Sequence, residues 1–325
     1  MEELKITFLN VGYGEAVLVR CGAPARPGGA FTLLVDGGSA EASEYADRTS
    51  GRIRLSEYLA RHPLDHLDVL VSTHPHEDHV SGLADLSVTP GELWQTFPPS
   101  FWREAPELPE SAAVTASDSK FTRGFNDCRR LCLQTAERGG AVRQMAASRE
   151  AVPLCPGLTA RVLGPSGTQC QQLVQRCRVL FSGIGGPDYL PALRALDAAM
   201  NNFSLILLLE YGKARILLSG DTNAAGFAGI SGDIRADLFK MGHHGQKDAV
   251  TATLAERVAP AHAVCCASSD RRYESASPAA LHLLSDAGTQ LWFSDCPPGY
   301  GLAPHSALEF SVRPDGAVRG EYQSE

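Results

Sequence analysis

His74-Pro-His76-Glu-Asp78-His79 places four potential metal ligands within six residues. The run stands directly behind the apolar stretch Leu67-Asp-Val-Leu-Val71, where a buried strand should give way to a loop and a helix. Imidazole nitrogen and carboxylate oxygen are the donors that zinc and its neighbours accept. Residues two apart on an extended segment point the same way, so His74 and His76 can grip one ion together. Asp78 and His79 follow a turn and can reach a second ion. A structural histidine is usually isolated, so this cluster reads as a metal site rather than as packing.

Two further segments support it. Leu217-Leu218-Ser-Gly220-Asp221-Thr222 puts a carboxylate just past an apolar strand, and Lys240-Met-Gly-His243-His244-Gly245 puts two histidines after the next one. Gly-Asp alone is a common turn, and paired histidines can cap or pack. Three such segments in order, each at a strand terminus, are hard to explain by packing, because sites in sheet proteins collect where several strands end together.

The elements that must position these residues can be read from periodicity and turn signals. Strands are expected over 4–9, 16–20, 31–35, 67–71, 203–209, 214–218, 236–241, 263–266, 290–293 and 307–312, with short ones near Val142 and over 158–163. Helices are expected over 53–61, from about Asp78, over 121–138, at both ends of 166–200, up to Val258 and over 278–286. Residues 91–119 read as a Pro- and Ser-rich connection carrying Trp94, Phe97, Phe101 and Trp102, which can stack a base, form a lid or pack over the core. The Gly-rich centre Ser182-Gly-Ile-Gly-Gly-Pro187 reads as a connecting loop, with a mobile lid as the alternative. No linker separates two folding units, so one α/β domain of two sheets with helices outside fits best.

With 44% hydrophobic and 20% charged residues in 325, the chain has the composition of a globular protein with ample core. No apolar run approaches a membrane span, and the N-terminus lacks a signal-peptide pattern, so the expected compartment is the cytoplasm. Nine cysteines without a CxxC pair suit free thiols in a reducing compartment, with a redox role for Cys128 and Cys132 as the alternative. A net charge of −8 with only five lysines argues against tight binding to long duplex DNA.

HxHxDH, then GD after a strand, then HHG after another strand, resembles the metallo-β-lactamase superfamily of hydrolases. Phe8-Leu-Asn-Val-Gly12-Tyr-Gly14-Glu15-Ala, Leu33-Leu-Val-Asp36-Gly37-Gly38, Asn201-Asn202-Phe-Ser204-Leu-Ile-Leu and Lys240-Met-Gly-His243-His244-Gly245 narrow the resemblance. They are similar to the branch that includes the metallo-β-lactamase-like domain of the competence protein ComEC. The resemblance runs from about residue 4 to 313 within one domain over 1–325, and the segments 92–145 and 166–199 match poorly. It implies an αββα sandwich, two central mixed β-sheets flanked by helices, with a two-metal site at one sheet edge. His74 and His76 would hold one ion, Asp78 and His79 the other, and Asp221 would bridge both. His243 would complete the second ion, leaving His244 to orient a ligand or donate a proton. Asp36 is expected to orient a ligand histidine through its free ring nitrogen. Where many members carry a further histidine, this chain has Asn201-Asn202-Phe-Ser204, so Asn202 and Ser204 are candidates for substrate contact and the first ion is expected to be the more exchangeable.

The implied cofactors are two divalent ions, zinc first and manganese as the alternative. Such a pair lowers the pKa of a shared water, which Asp78 and Asp221 would orient for attack on phosphorus or a carbonyl carbon. Lys240 and Lys247 flank the histidine pair and can attract phosphate, with surface solvation as the other job open to each. The leading reading is a phosphodiesterase or nuclease acting on DNA, RNA or a nucleotide. The alternatives are a hydrolase of a carboxylic ester, thioester, lactone, amide or phosphocholine-type ester, and a metal-binding scaffold without turnover. A diiron oxygen-reducing member is disfavoured, because that branch carries a carboxylate where His76 stands. A protein partner or homo-oligomer is not indicated.

Overall fold

The computed structural model describes residues 3–64, 66–84 and 86–324. Alternation along the strands decides the architecture. In β1 (Leu4–Leu9), Leu4, Ile6 and Phe8 enter one apolar cluster while Leu9 enters another, the period-2 pattern of a strand buried on both faces. β2 (Val17–Gly22), β3 (Ala30–Val35), β4 (Val69–Val71), β5 (Glu92–Gln95) and β6 (Ala141–Gln144) share its sheet. The second sheet holds β7 (Val152–Cys155), β8 (Leu158–Gly164), β9 (Ile206–Tyr211), β10 (Ala214–Leu218), β11 (Leu238–Lys240), β12 (His262–Cys265) and β13 (Gln290–Phe293). The chain then returns to the first sheet through β14 (Ala307–Val312) and β15 (Val318–Gln323). The strand orders are β15-β14-β1-β2-β3-β4-β5-β6 and β13-β12-β11-β10-β9-β8-β7. Both sheets are mixed: β3 through β6 and β10 through β13 pair in parallel, and the other neighbours are antiparallel.

One apolar cluster, including Leu33, Val35 and Val71 of the first sheet and Leu207, Ile216 and Leu218 of the second, fills the space between the sheets. α1 (Leu55–Arg61), α2 (Glu77–Val80), α3 (Phe101–Glu104), α4 (Ala116–Glu137), α5 (Gly167–Ser182) and α6 (Tyr189–Met200) build the outer cluster on the first sheet. α7 (Ala224–Ala228), α8 (Ala252–Val258) and α9 (Pro278–Ser285) do so on the second. The layers are therefore helix, sheet, sheet, helix, the αββα sandwich expected from the sequence. Among the described residues no helix is long and apolar enough to cross a membrane.

Three strands escape periodicity. β5 lies in the Pro- and Ser-rich stretch, β7 contains Pro153, and β15 is a half-exposed edge. α4 starts five residues before its expected Phe121, at a capping box in which Thr115 and Asp118 satisfy each other's backbone N–H groups. The aromatic group is core: Phe97 stacks on Phe101 at 4.5 Å, Trp102 lies 5.2 Å from Phe125, and Trp94 fills the space between the sheets. Residues 183–188 make a tight connection between α5 and α6, closed by Gly186 N–H donating to Gly183 at 2.9 Å. All nine cysteines are free, and burial pushes the Cys132 thiol well above its ordinary value, which leaves it unreactive. α4 reaches the His74–His79 loop through Gly124, where a Cβ would stand 2.5 Å from the Glu77 nitrogen.

Candidate metal centre

Parallel pairing brings the loops together. The C-terminal ends of β3 and β4 are in register at Val35 and Val71, and those of β10 and β11 at Leu218 and Lys240. Asp36, the His74–His79 run, Asp221 and the histidine pair thus leave the two sheets on one edge. Leu205 N–H donates to the Thr73 carbonyl at 3.0 Å and Glu15 N–H to the Asp78 carbonyl at 3.2 Å, which fixes these loops to one another.

Asp78, His79, Asp221 and His244 offer ligand atoms that all lie within 4.8 Å of one another. His244 Nε2 stands 3.0 Å from Asp78 Oδ2 and 2.9 Å from Asp221 Oδ2, and His79 Nε2 stands 3.3 Å from the same Asp221 oxygen. Beside them His74 Nε2 and His76 Nδ1 approach to 2.9 Å. The expected preference for His243 is therefore corrected in placement: its Nδ1 pairs with Asp248 at 2.9 Å on the rim, and His244 turns inward. The cause is backbone. Both residues are left-handed, with φ of 45° and 49°, so the alternation that would point the first histidine inward fails. Gly242 lets this loop lie against the Asp221 turn, since a Cβ there would stand 1.9 Å from the Thr222 carbonyl oxygen.

The outer nitrogens settle what the inner ones can do. Thr73 Oγ1 donates to Asp36 Oδ2 at 2.6 Å, so it accepts from His74 Nδ1 at 3.0 Å. His79 Nδ1 donates to Asp36 Oδ2 at 2.7 Å, and His244 Nδ1 donates to the Cys266 carbonyl at 2.7 Å. Neutral His79 and His244 then face each other as lone pairs, with Nε2 atoms 3.4 Å apart. Lone pairs crowded beside two carboxylates require a cation. Without metal, protons fill that role. Burial opposes charge on His244, but Asp221 and Asp78 outweigh it and push the imidazole up to about 9. His79 is raised in the same way by Asp221, Asp78 and Asp36, whereas burial and its charged neighbours hold His74 neutral. The donor set fits two divalent ions, one that His74 and His76 would hold and one that Asp78, His79, Asp221 and His244 would hold.

A pH dependence follows. His244 is protonated in the metal-free chain below about 9 and must lose that proton to coordinate, so affinity rises with pH up to that value. Calorimetric zinc titrations at pH 7.5 in buffers of different ionisation enthalpy should show proton release. His244→Ala should reduce it by about one proton, and His243→Ala should leave it unchanged.

Lys240 was expected as a phosphate-attracting or surface residue, and it is neither. It is wholly buried, with its ammonium against the Glu15 carboxylate, 2.7 Å from the Gly220 carbonyl and 3.4 Å from Asp221 Oδ1. A strand buried on both faces leaves a lysine no route to water, so it is neutralised internally. Burial opposes its charge, but Glu15 and Asp221 outweigh burial and keep it protonated. Lys240 thus holds one Asp221 oxygen and leaves the other facing His79 and His244. Ser204 is also structural here, accepting from the Asp221 N–H at 3.2 Å. Lys247 is exposed and outside the cavity over the site.

That cavity has a volume of about 370 Å³, and Tyr13, Lys120, His243, Gln246 and Tyr273 are on its wall. Tyr13 packs 4.3 Å from His244 with the rings tilted by 42°, and burial keeps its phenol protonated. Asn202 lines a larger neighbouring cavity of about 720 Å³ that contains none of the ligand candidates, and Asn201 takes the place beside the metal loops. Sequence reasoning missed Tyr13, Glu15 and Asp197. The Gly12-Tyr-Gly14-Glu15 turn carried the signal for the first two, since a buried strand-end acid needs a cation.

Residues 9–93 match the family model for the metallo-beta-lactamase superfamily, and they contain the whole His74–His79 run. The chain thus carries a region similar to the metallo-β-lactamase superfamily. Its motifs and two-sheet sandwich agree with that similarity. The chain is 25% identical over 293 residues to the ComE operon protein 3 of Bacillus subtilis (strain 168), a match covering 87% of the chain. It spans about 30% of that relative's length. Among solved structures it is similar to a diphosphatase from the PhnP family, at 12% identity and a TM-score of 0.38, with 99% of each chain covered. It is also similar to CmlA, a diiron beta-hydroxylase from Streptomyces venezuelae, at 14% identity and a TM-score of 0.39, covering 90% of this chain and 52% of that one.

Proposed function

We propose that the chain is a metal-dependent phosphodiesterase whose substrate is a nucleotide or single-stranded nucleic acid. The observation that carries this reading is the cluster of Asp78, His79, Asp221 and His244 with the His74–His76 pair beside it on one sheet edge, beneath a small cavity with donors on its wall. When bound, two divalent ions lower the pKa of a shared water and clamp an in-line displacement at phosphorus; the mixed nitrogen and oxygen donors suit zinc first and manganese second. Asp78 and Asp221 orient the attacking water through their oxygens. Lys120 and the protonated phenol of Tyr13 face the non-bridging oxygens, where charge builds up. His243, on the rim with its Nδ1 held by Asp248, delivers the proton to the leaving oxygen. The cavity volume and the charge of −8 favour a small or single-stranded substrate over long duplex. Nine free thiols suit a reducing, cytoplasmic setting.

Purified chain in zinc- or manganese-defined buffer should hydrolyse bis-p-nitrophenyl phosphate and at least one of single-stranded DNA and RNA. Turnover of a β-lactam or carboxylic ester alone would replace this reading with the carbonyl one. Bound metal with no turnover on any of these would favour a scaffold.

A further inference from the structure

We infer that Asp197, on α6, is the residue that positions His76 as a metal ligand. This rests on the two-ion reading of the site. Three of the four inner histidines have an acceptor on their outer nitrogen: Thr73 for His74, Asp36 for His79 and the Cys266 carbonyl for His244. His76 is the fourth, and it is reversed. Its Nδ1 faces His74 Nε2, so its Nε2 is the outer nitrogen. That nitrogen is buried and has no hydrogen-bonded partner, and Asp197 Oδ1 stands 3.1 Å from it, off the line of the N–H. A small ring rotation aligns the two. Asp197 would then hold the proton on Nε2 and leave Nδ1 as the lone pair for the ion.

The carboxylate is placed there by α6, within a segment that the superfamily resemblance covers poorly. Leu193, Leu196 and Met200 bury one face of α6 in the cluster on the first sheet. On its other face Arg194 forms a two-pronged pair with Asp118 of α4, both contacts at 2.9 Å. Three residues on, and therefore on the same side, Asp197 Oδ2 accepts from Ser117 Oγ of α4 at 3.3 Å. The helix is fixed in register, and its carboxylate is held between α4 and the His76 ring. Because it meets the ring on the nitrogen away from His74, it orients the ligand rather than ligating the same ion.

The test is zinc affinity by competition with a chromophoric chelator, together with the cobalt absorption spectrum, for wild type, Asp197→Ala and Asp197→Asn. Asp197→Ala should weaken one of the two ions by about 10–100-fold, alter the cobalt bands and leave the other ion unchanged. Asp197→Asn should restore most of that affinity, because its amide oxygen still accepts the Nε2 proton. Circular dichroism should be unchanged in both. Equal affinities in wild type and Asp197→Ala would overturn the positioning role. A loss in Asp197→Asn as large as in Asp197→Ala would also overturn it and make the carboxylate a direct ligand. Wild type that binds no ion would overturn the two-ion reading itself, and this inference with it.

Discussion

Asp221→Ala should lower phosphodiester turnover by at least about 10³-fold, roughly 4 kcal/mol of transition-state stabilisation, and leave the fold intact. Both halves of that expectation come from how the carboxylate is shared. Oδ2 stands 3.3 and 2.9 Å from the Nε2 atoms of His79 and His244, closer to the two than Asp78 Oδ2 at 3.8 and 3.0 Å. Oδ1 contributes little to folding, because Lys240 keeps Glu15 and the Gly220 carbonyl without it. The loop keeps its backbone bond from residue 221 to Ser204 Oγ. Turnover of bis-p-nitrophenyl phosphate, measured beside thermal unfolding, checks both. A variant that retains activity would remove Asp221 from the centre, and one that fails to fold would make its role structural.

Lys240→Met should be the most destabilising substitution near the site, by about 3–5 kcal/mol. Methionine fills the volume, but Glu15 is left wholly buried without its counter-charge. Burial already raises the Glu15 carboxyl, and Lys240 opposes that rise, so the variant's carboxyl titrates higher still. The sign is that of an acid whose folded pKa lies above its unfolded one. The penalty is absent below the unfolded pKa and grows as pH rises through and above it, so the deficit against wild type should be larger at pH 8 than at pH 5. Urea midpoints at the two pH values measure this. Adding Glu15→Gln to Lys240→Met should recover most of the stability, since it removes the stranded charge.

Lys240 also shows where sequence reading stops. Its position after an apolar strand was legible, and a lysine there has two fates, solvent or a buried partner. The partner, Glu15, lies 225 positions earlier, in the turn between β1 and β2, and only the stacking of the two sheets brings them together. The His74–His79 run and Asp221 were legible because both follow strand ends directly, where local geometry decides what the residues face. The choice between His243 and His244 was not, because two successive left-handed residues reverse the alternation. Asp197 carried no signal of its own. It is one acid on an amphipathic helix, and only the docking of α6 on α4 aims it at His76. The fold was legible wherever strands alternate or run apolar, and lost at β5, β7 and β15, where proline, a polar connection and an exposed edge hide the pattern.

The metal content of the chain decides whether Asp221 bridges a dinuclear centre. After equilibrium dialysis against zinc, wild-type chain should retain about two ions by mass spectrometry and Asp221→Ala fewer. Wild-type chain that retains none, or an Asp221→Ala chain that retains as many as wild type, would contradict it.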